Sequence, residues 1–165
     1  CAIDVDIVRN LPSKIRNSLE DMSSSASSLE LFKCGARCAV LFFIVLGIDL
    51  GTKAFFWNRG DARITTEYFG LVALPETVGL FFMAVVIAMF AGWAVRECAA
   101  GRAAVLPTLV CAGAGGNFFD RLVFGGVRDW IPILGWSTIN VADVSIAVGA
   151  SMLAILTLVG WRQTT

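Results

Sequence analysis

Asp129 and Asp143, fourteen positions apart, are the residues of this 165-residue chain best suited to chemistry. Two carboxylates brought close together cannot both ionise cheaply, so one keeps a proton. The charged member can then take a proton from water while the protonated member polarises a carbonyl, which is aspartic peptide hydrolysis. That chemistry needs no metal and no cofactor. It also needs no histidine, and the chain has none, which removes Ser-His and Cys-His catalysis and HExxH zinc sites. Asp143 sits near the start of an apolar run, residues 139–161, where an ionised acid is costly and usually functional. The competing role for Asp143 is a structural carboxylate at the start of the last helix, with Asn140 as the cap itself.

Other polar residues stand near this pair. Asp49 and Lys53 are four apart with the acid first, the favoured order on one helix face. Asn117, Asp120 and Arg121 follow the stretch "GAGG", and Arg128 precedes Asp129. Asp120 and Arg121 are expected to join a network in which guanidinium and carboxylate offset each other. Architecture is the first reading of Asp49, Lys53, Asp120 and Arg121. Gly113, Gly115 and Gly116 allow close backbone approach, and Gly125 and Gly126 a turn that returns Asp129 towards Asp143.

The elements that must hold these residues are membrane spans. The chain is 57% hydrophobic and 16% charged, with mean hydropathy +0.76, far more apolar than a soluble domain. Its formal net charge is zero, which gives no sign of a nucleic-acid partner. Four apolar stretches, at 36–56, 78–95, 103–119 and 139–161, each approach the roughly 20 residues a bilayer-crossing helix needs. The third holds Pro107 and the glycine run, which suits close helix packing. The expected fold is an all-α membrane protein of four transmembrane helices, with small extracytoplasmic loops carrying some β structure over the site.

Basic residues orient the chain. Arg9, Lys14, Arg16, Lys33, Arg37, Arg96, Arg102 and Arg162 fall on one side, and Lys53, Arg59, Arg63, Arg121 and Arg128 on the other. The excess puts both termini in the cytoplasm and the polar motifs outside. Residues 1–35 read as a polar cytoplasmic tail, 36–161 as the membrane domain and 162–165 as a cytoplasmic end. In the tail, Ile7, Leu11, Ile15, Leu19 and Met22 recur at helical spacing, interrupted by Pro12, which fits a helix on the membrane surface or a disordered segment. "SSSASS" reads as a linker, with Ser27 and Glu30 spaced as a capping box before the first span. Cys1, Cys34, Cys38, Cys98 and Cys111 show no CxxC or metal-ligand spacing. They are expected to pack as small hydrophobes without a disulfide framework.

Intramembrane acids also mark ion paths, so a small transporter or proton relay is the alternative function. That reading predicts acids spread through the bilayer depth, whereas these gather at one face. A non-catalytic scaffold is the third reading.

Four motifs in order carry a family resemblance. "AGAGGNFFDRL" resembles the GNxxDR motif of the lipoprotein signal peptidase (signal peptidase II) family, and "GGVRDWI" its GxVxDF segment. "INVADVSIAVG" resembles its FNxADxxIxxG segment, and "DLGTK" its DQxxK at the end of the first span. The resemblance covers about residues 36 to 161. It implies an intramembrane aspartic endopeptidase of the bacterial inner membrane that cleaves signal peptides from diacylglyceryl-modified prolipoproteins. Lipid-modified prolipoproteins, membrane lipids and the inhibitor globomycin would be its partners. The implied catalytic residues are Asp129 and Asp143, supported by Asp49, Lys53, Asn117, Asp120, Arg121 and Asn140. Three positions depart from the pattern. Leu50 replaces Gln, Trp130 replaces Phe, and Glu76 in "ETVGLFF" stands near the Asn of the family's substrate-holding NxGxxF loop.

Overall fold

The computed structural model describes residues 12–66, 75–133 and 137–162. Arg9 and the Ile7 and Leu11 positions of the tail pattern lie outside the described residues. Four helices dominate: α1 (Ser13–Arg59), α2 (Glu76–Ala99), α3 (Val105–Phe124) and α4 (Val141–Arg162). Four three-residue strands, β1 (Arg63–Thr65), β2 (Val127–Asp129), β3 (Ile131–Ile133) and β4 (Ser137–Ile139), make two antiparallel ribbons.

Helix α1 is 47 residues long, about 70 Å at 1.5 Å per residue and far more than a bilayer requires. It starts directly after Pro12, whose carbonyl accepts hydrogen bonds from the N–H groups of Ile15 and Arg16. The serine run is therefore helix, not linker. Ser27 and Ser28 turn their hydroxyls onto the Ser24 carbonyl, both at 2.8 Å, and Glu30 pairs with Lys33 instead of closing a box with Ser27. The helix stops at Gly60, where φ is +77° and the N–H groups of Gly60 and Asp61 bond back to Trp57 and Phe56. Only glycine adopts that left-handed turn without penalty.

Among the described residues, three helices are long and apolar enough to cross a membrane: α1, α2 and α4. Their outward faces carry large apolar side chains, with Phe43 and Phe81 each 67% exposed. In water such a surface would be an aggregation liability; in lipid it is the solvated face. Helix α3 differs. It packs against all three other helices, and most of its length from Pro107 to Arg121 is buried. Pro107 is tolerated because it lies in the first turn, where no intrahelical N–H partner is required.

Close packing of α3 depends on its glycines. A Cβ on Gly113 would run into the Ala142 carbonyl of α4, and one on Gly116 would meet the Asp49 carboxylate of α1. Gly115 has ordinary room beside Phe42. At the far end of the bundle, Cys34 of α1 and Cys98 of α2 are joined as a disulfide with Cα atoms 5.5 Å apart. This corrects the expectation that the cysteines only pack: two helices bring together residues 64 positions apart, which local spacing does not reveal.

Candidate active site

The ribbons fold the loop segments over the ends of α1, α3 and α4. Gly125 ends α3 with φ +68°, and the chain turns straight into β2. There Arg63 of β1 pairs with Asp129, Ile64 with Arg128 and Thr65 with Val127. β3 pairs with β4 so that Ile131 faces Ile139, and the Trp130 N–H donates to the Ile139 carbonyl at 3.1 Å. Asp129, just before Trp130, is thereby set beside Asn140, just after Ile139. The Trp130 ring stacks on Phe56 of α1 at 3.9 Å between centroids, fixing this corner to the first helix.

Asn140 donates through Nδ2 to Asp129 Oδ1 at 2.6 Å and also to Asn117 Oδ1 at 3.1 Å. Its own Oδ1 accepts the Asp143 N–H at 3.0 Å, while Asp143 Oδ2 accepts the Asn140 N–H at 3.1 Å. That reciprocal pair is a capping box at the start of α4, so Asn140 is the cap the sequence suggested. Asp143 Oδ1 accepts from Asn117 Nδ2 at 2.7 Å. The two asparagines thus tie the two aspartates together.

Beneath them lies a buried charge network. Lys53 Nζ stands 2.7 Å from Asp49 Oδ2 and 3.5 Å from Asp120 Oδ2, and donates to Asn117 Oδ1 at 2.9 Å. Lys53, Asp49, Asp120 and Asn140 have no solvent exposure. Asp49 Oδ1 accepts the Ala142 N–H at 2.8 Å, so a carboxylate of α1 satisfies an otherwise unpaired donor in the first turn of α4 and complements its dipole. Removing one partner from such a network strands a buried charge, at roughly 3–5 kcal/mol.

Asp120 enters the expected guanidinium–carboxylate network through a guanidinium from further along the chain. Consecutive helix positions do not share a face. Asp120 is instead held by Arg128, with Oδ1 to Nη2 at 2.7 Å and Oδ2 to the Arg128 N–H at 3.0 Å. Arg128 also lies over the Phe124 ring at 4.1 Å. Arg121 is buried, and its Nη1 donates to the Thr66 carbonyl at 3.0 Å, anchoring the end of β1. Because neighbouring side chains on a strand alternate, Arg128 turns to Asp120 while Asp129 turns to Asn140. The role of Arg128 was missed in the sequence; its signal was the two-residue glycine turn that returns it to α3.

Among the described residues, Glu76 does not join this assembly. It is exposed in the first turn of α2 and makes no hydrogen bond or ion pair with the described residues of the cluster. Residues 67–74, which precede it, lie outside the described residues.

Burial pushes the Asp129 carboxyl above its ordinary value, and the charge of Asp143 acts in the same direction. Hydrogen bonds from Thr65 and Asn140 and the charge of Lys53 pull it back. Around the site the charged groups Lys53, Arg121 and Arg128 stand against Asp49, Asp120, Asp129 and Asp143. The like charge of Asp143 near Asp129 favours a proton retained at Asp129.

Residues 41–159 match the family described as Signal peptidase (SPase) II. The chain belongs to the signal peptidase II family. Relatives named lipoprotein signal peptidase include one from Mesorhizobium japonicum, 33% identical over 65% of this chain and 64% of its own length. Another, from Syntrophotalea carbinolica, is 38% identical over 64% of this chain and 65% of its own. A third, from a Sulfurihydrogenibium species, is 34% identical over 67% and 83% respectively. The chain thus spans just under two thirds of the first two. Two solved bacterial membrane enzymes share the fold. One, determined at 2.3 Å by the in meso method, aligns with TM-score 0.68 at 18% identity over 79% of this chain and 92% of its own. The other, at 1.9 Å, gives 0.62 at 21% identity over 74% and 93%. The family is one of proteases that remove signal peptides from prolipoproteins.

Proposed function

We propose that the protein is an intramembrane aspartic endopeptidase that removes signal peptides from diacylglyceryl-modified prolipoproteins, with Asp129 and Asp143 as its catalytic pair. The observation that carries this reading is Asn140, whose amide is bound to Asp129 while its carbonyl and N–H are bound to Asp143. Asp129, its carboxyl raised by burial, holds the shared proton in the free enzyme. Asp143 accepts a proton from water, and the water oxygen attacks the scissile carbonyl as Asp129 protonates the carbonyl oxygen. Collapse of the tetrahedral intermediate breaks the C–N bond and passes a proton to the departing amine, leaving one proton on the pair. Fixing water and peptide between two positioned carboxylates supplies much of the rate through orientation.

Asp49, Lys53, Asn117, Asp120, Arg121 and Asn140 support the pair by fixing the helix ends and the charge balance around it. All four helices cross the cytoplasmic (inner) membrane, α3 shielded by the others, with the ribbons on the extracytoplasmic face. The N-terminal part of α1 then continues into the cytoplasm, where the C-terminus also lies. The domain plan is a tail of residues 1–35, a peptidase domain of 36–161 and a C-terminal end of 162–165. The apolar faces of α1 and α2, including Phe43, Phe81 and Phe82, which are exposed, face the lipid through which a diacylglyceryl chain arrives. Globomycin occupies the substrate site, and Glu76 stands at the head of α2.

The test uses purified protein in detergent with a diacylglyceryl-modified prolipoprotein, followed by gel shift. Wild type cleaves; Asp129→Asn and Asp143→Asn, at matched helicity and elution volume, do not. Cleavage surviving both substitutions would overturn the assignment of the pair.

A further inference from the structure

At the end of the bundle opposite the carboxylates, three sulfur atoms converge. Cys34 and Cys38 are one turn apart on α1, and Cys98 sits in the last turn of α2. Their sulfurs all lie within 4.8 Å of one another. Cys98 is buried and the other two are half-buried. The bed beneath them is built of small side chains, Ala94 and Ala104, which are 8% and 2% exposed, so nothing bulky separates the sulfurs. Cys38 also lines an apolar cavity of about 250 Å³ with Phe42, Ala91, Ala94 and Cys98.

Along α1 the cluster is about 17–22 Å from Asp49 at 1.5 Å per residue, most of the roughly 30 Å thickness of a hydrocarbon core. With the carboxylates on the outer face, as proposed above, the sulfurs belong to the cytoplasmic side. The structure joins Cys34 and Cys98 as a disulfide; on the cytoplasmic side the thiol reductants of the cytosol supply two electrons and two protons and open it to two thiols. The resting form in the cell is then three thiols on two helices.

The geometry points to a binding site for one thiophilic d10 metal ion, Zn²⁺ or Cu⁺, held by the thiolates of Cys34, Cys38 and Cys98. Two thiolates on one tetrahedral ion at about 2.3 Å lie roughly 3.8 Å apart, and the Cys38 and Cys98 sulfurs are 3.8 Å apart. Three thiolates are a soft donor set that selects these ions over Mg²⁺ or Ca²⁺. The Arg102 carbonyl oxygen, 3.9 Å from the Cys34 sulfur, leaves room for a weak fourth donor, water or an external thiol. Binding replaces the three thiol protons with the ion and releases them to solvent. No atom changes oxidation state. The loaded site clamps α1 to α2. Cys111 does not belong to it: its sulfur faces the Ile87 carbonyl at 3.8 Å.

The experiment uses the full chain in detergent, reduced and desalted without oxygen, titrated separately with Zn²⁺ and Cu⁺ against chromophoric chelators. Wild type and Cys111→Ser are expected to take up one equivalent with a thiolate-to-metal charge-transfer band in the near ultraviolet. Cys38→Ser leaves Cys34 and Cys98 in place, and its affinity should fall by more than the roughly 10–100-fold that loss of an outer partner costs. Cys98→Ser should behave likewise. Uptake of one ion and not the other identifies the occupant. No band in folded, reduced wild type, or a band unchanged by Cys38→Ser, overturns the site. Because no cleavage is measured, failure here leaves the peptidase reading untouched.

Discussion

Asn140 donates its side-chain N–H to the carboxylate of Asp129 at 2.6 Å. The same residue caps α4, so one side chain both sets the helix entrance and holds an aspartate on a different element. These duties separate by substitution. Asn140→Ala loses both, with about 1 kcal/mol of stability from the cap and about 10²-fold in cleavage from misplacement of Asp129. Asn140→Ser keeps a capping oxygen without the amide donor. Thermal unfolding in detergent should show Ser recovering most of the loss, while cleavage stays depressed. Recovery of both together would make Asn140 structural only.

The raised Asp129 carboxyl has a consequence for stability. Its folded form takes up a proton above the ordinary value of 3.8, so ionisation costs folding free energy at neutral pH. That cost disappears as pH falls through the folded value. Asp129→Asn should therefore unfold at a higher temperature than wild type at pH 7, with the advantage shrinking as pH approaches about 4. A variant less stable at pH 7 would contradict the burial argument.

The glycines of α3 make unequal demands. Gly116→Ala would press a methyl group against the Asp49 carboxylate, whereas Gly115→Ala meets only Phe42 at 3.4 Å. The first should cost about 1–3 kcal/mol, as overpacking does. The second should be neutral or slightly stabilising, because alanine is the better helix former. Paired unfolding curves decide it; equal effects would mean that α1 yields freely at this point.

Much of this was legible beforehand because its signals are local. Three spans follow from hydropathy, the Asp49–Lys53 pair from a four-residue spacing, and the Asn140 cap from its place before an apolar run. The partner of Asp120 was not legible, because Arg128 arrives only through the return of β2. The serine run was misjudged because serine competes with helical hydrogen bonds in an isolated chain. Here a 47-residue helix carries it, with the Ser27 and Ser28 hydroxyls bonding to the preceding turn. The sulfur cluster escaped notice since Cys98 comes from a second helix 60 residues beyond Cys38.

The seam between α3 and α4 fixes a level within the bundle. At Gly113 the two helices meet backbone to side face, with no space for even one added carbon, and at Gly149 the approach to Leu106 and Val110 is similarly close. A side chain larger than hydrogen has no room at either point, so the seam holds α3 and α4 at one height relative to each other. The level at which Asn117 of α3 meets Asp143 of α4 is therefore set by two positions without side chains, one of them about two turns away from the aspartate.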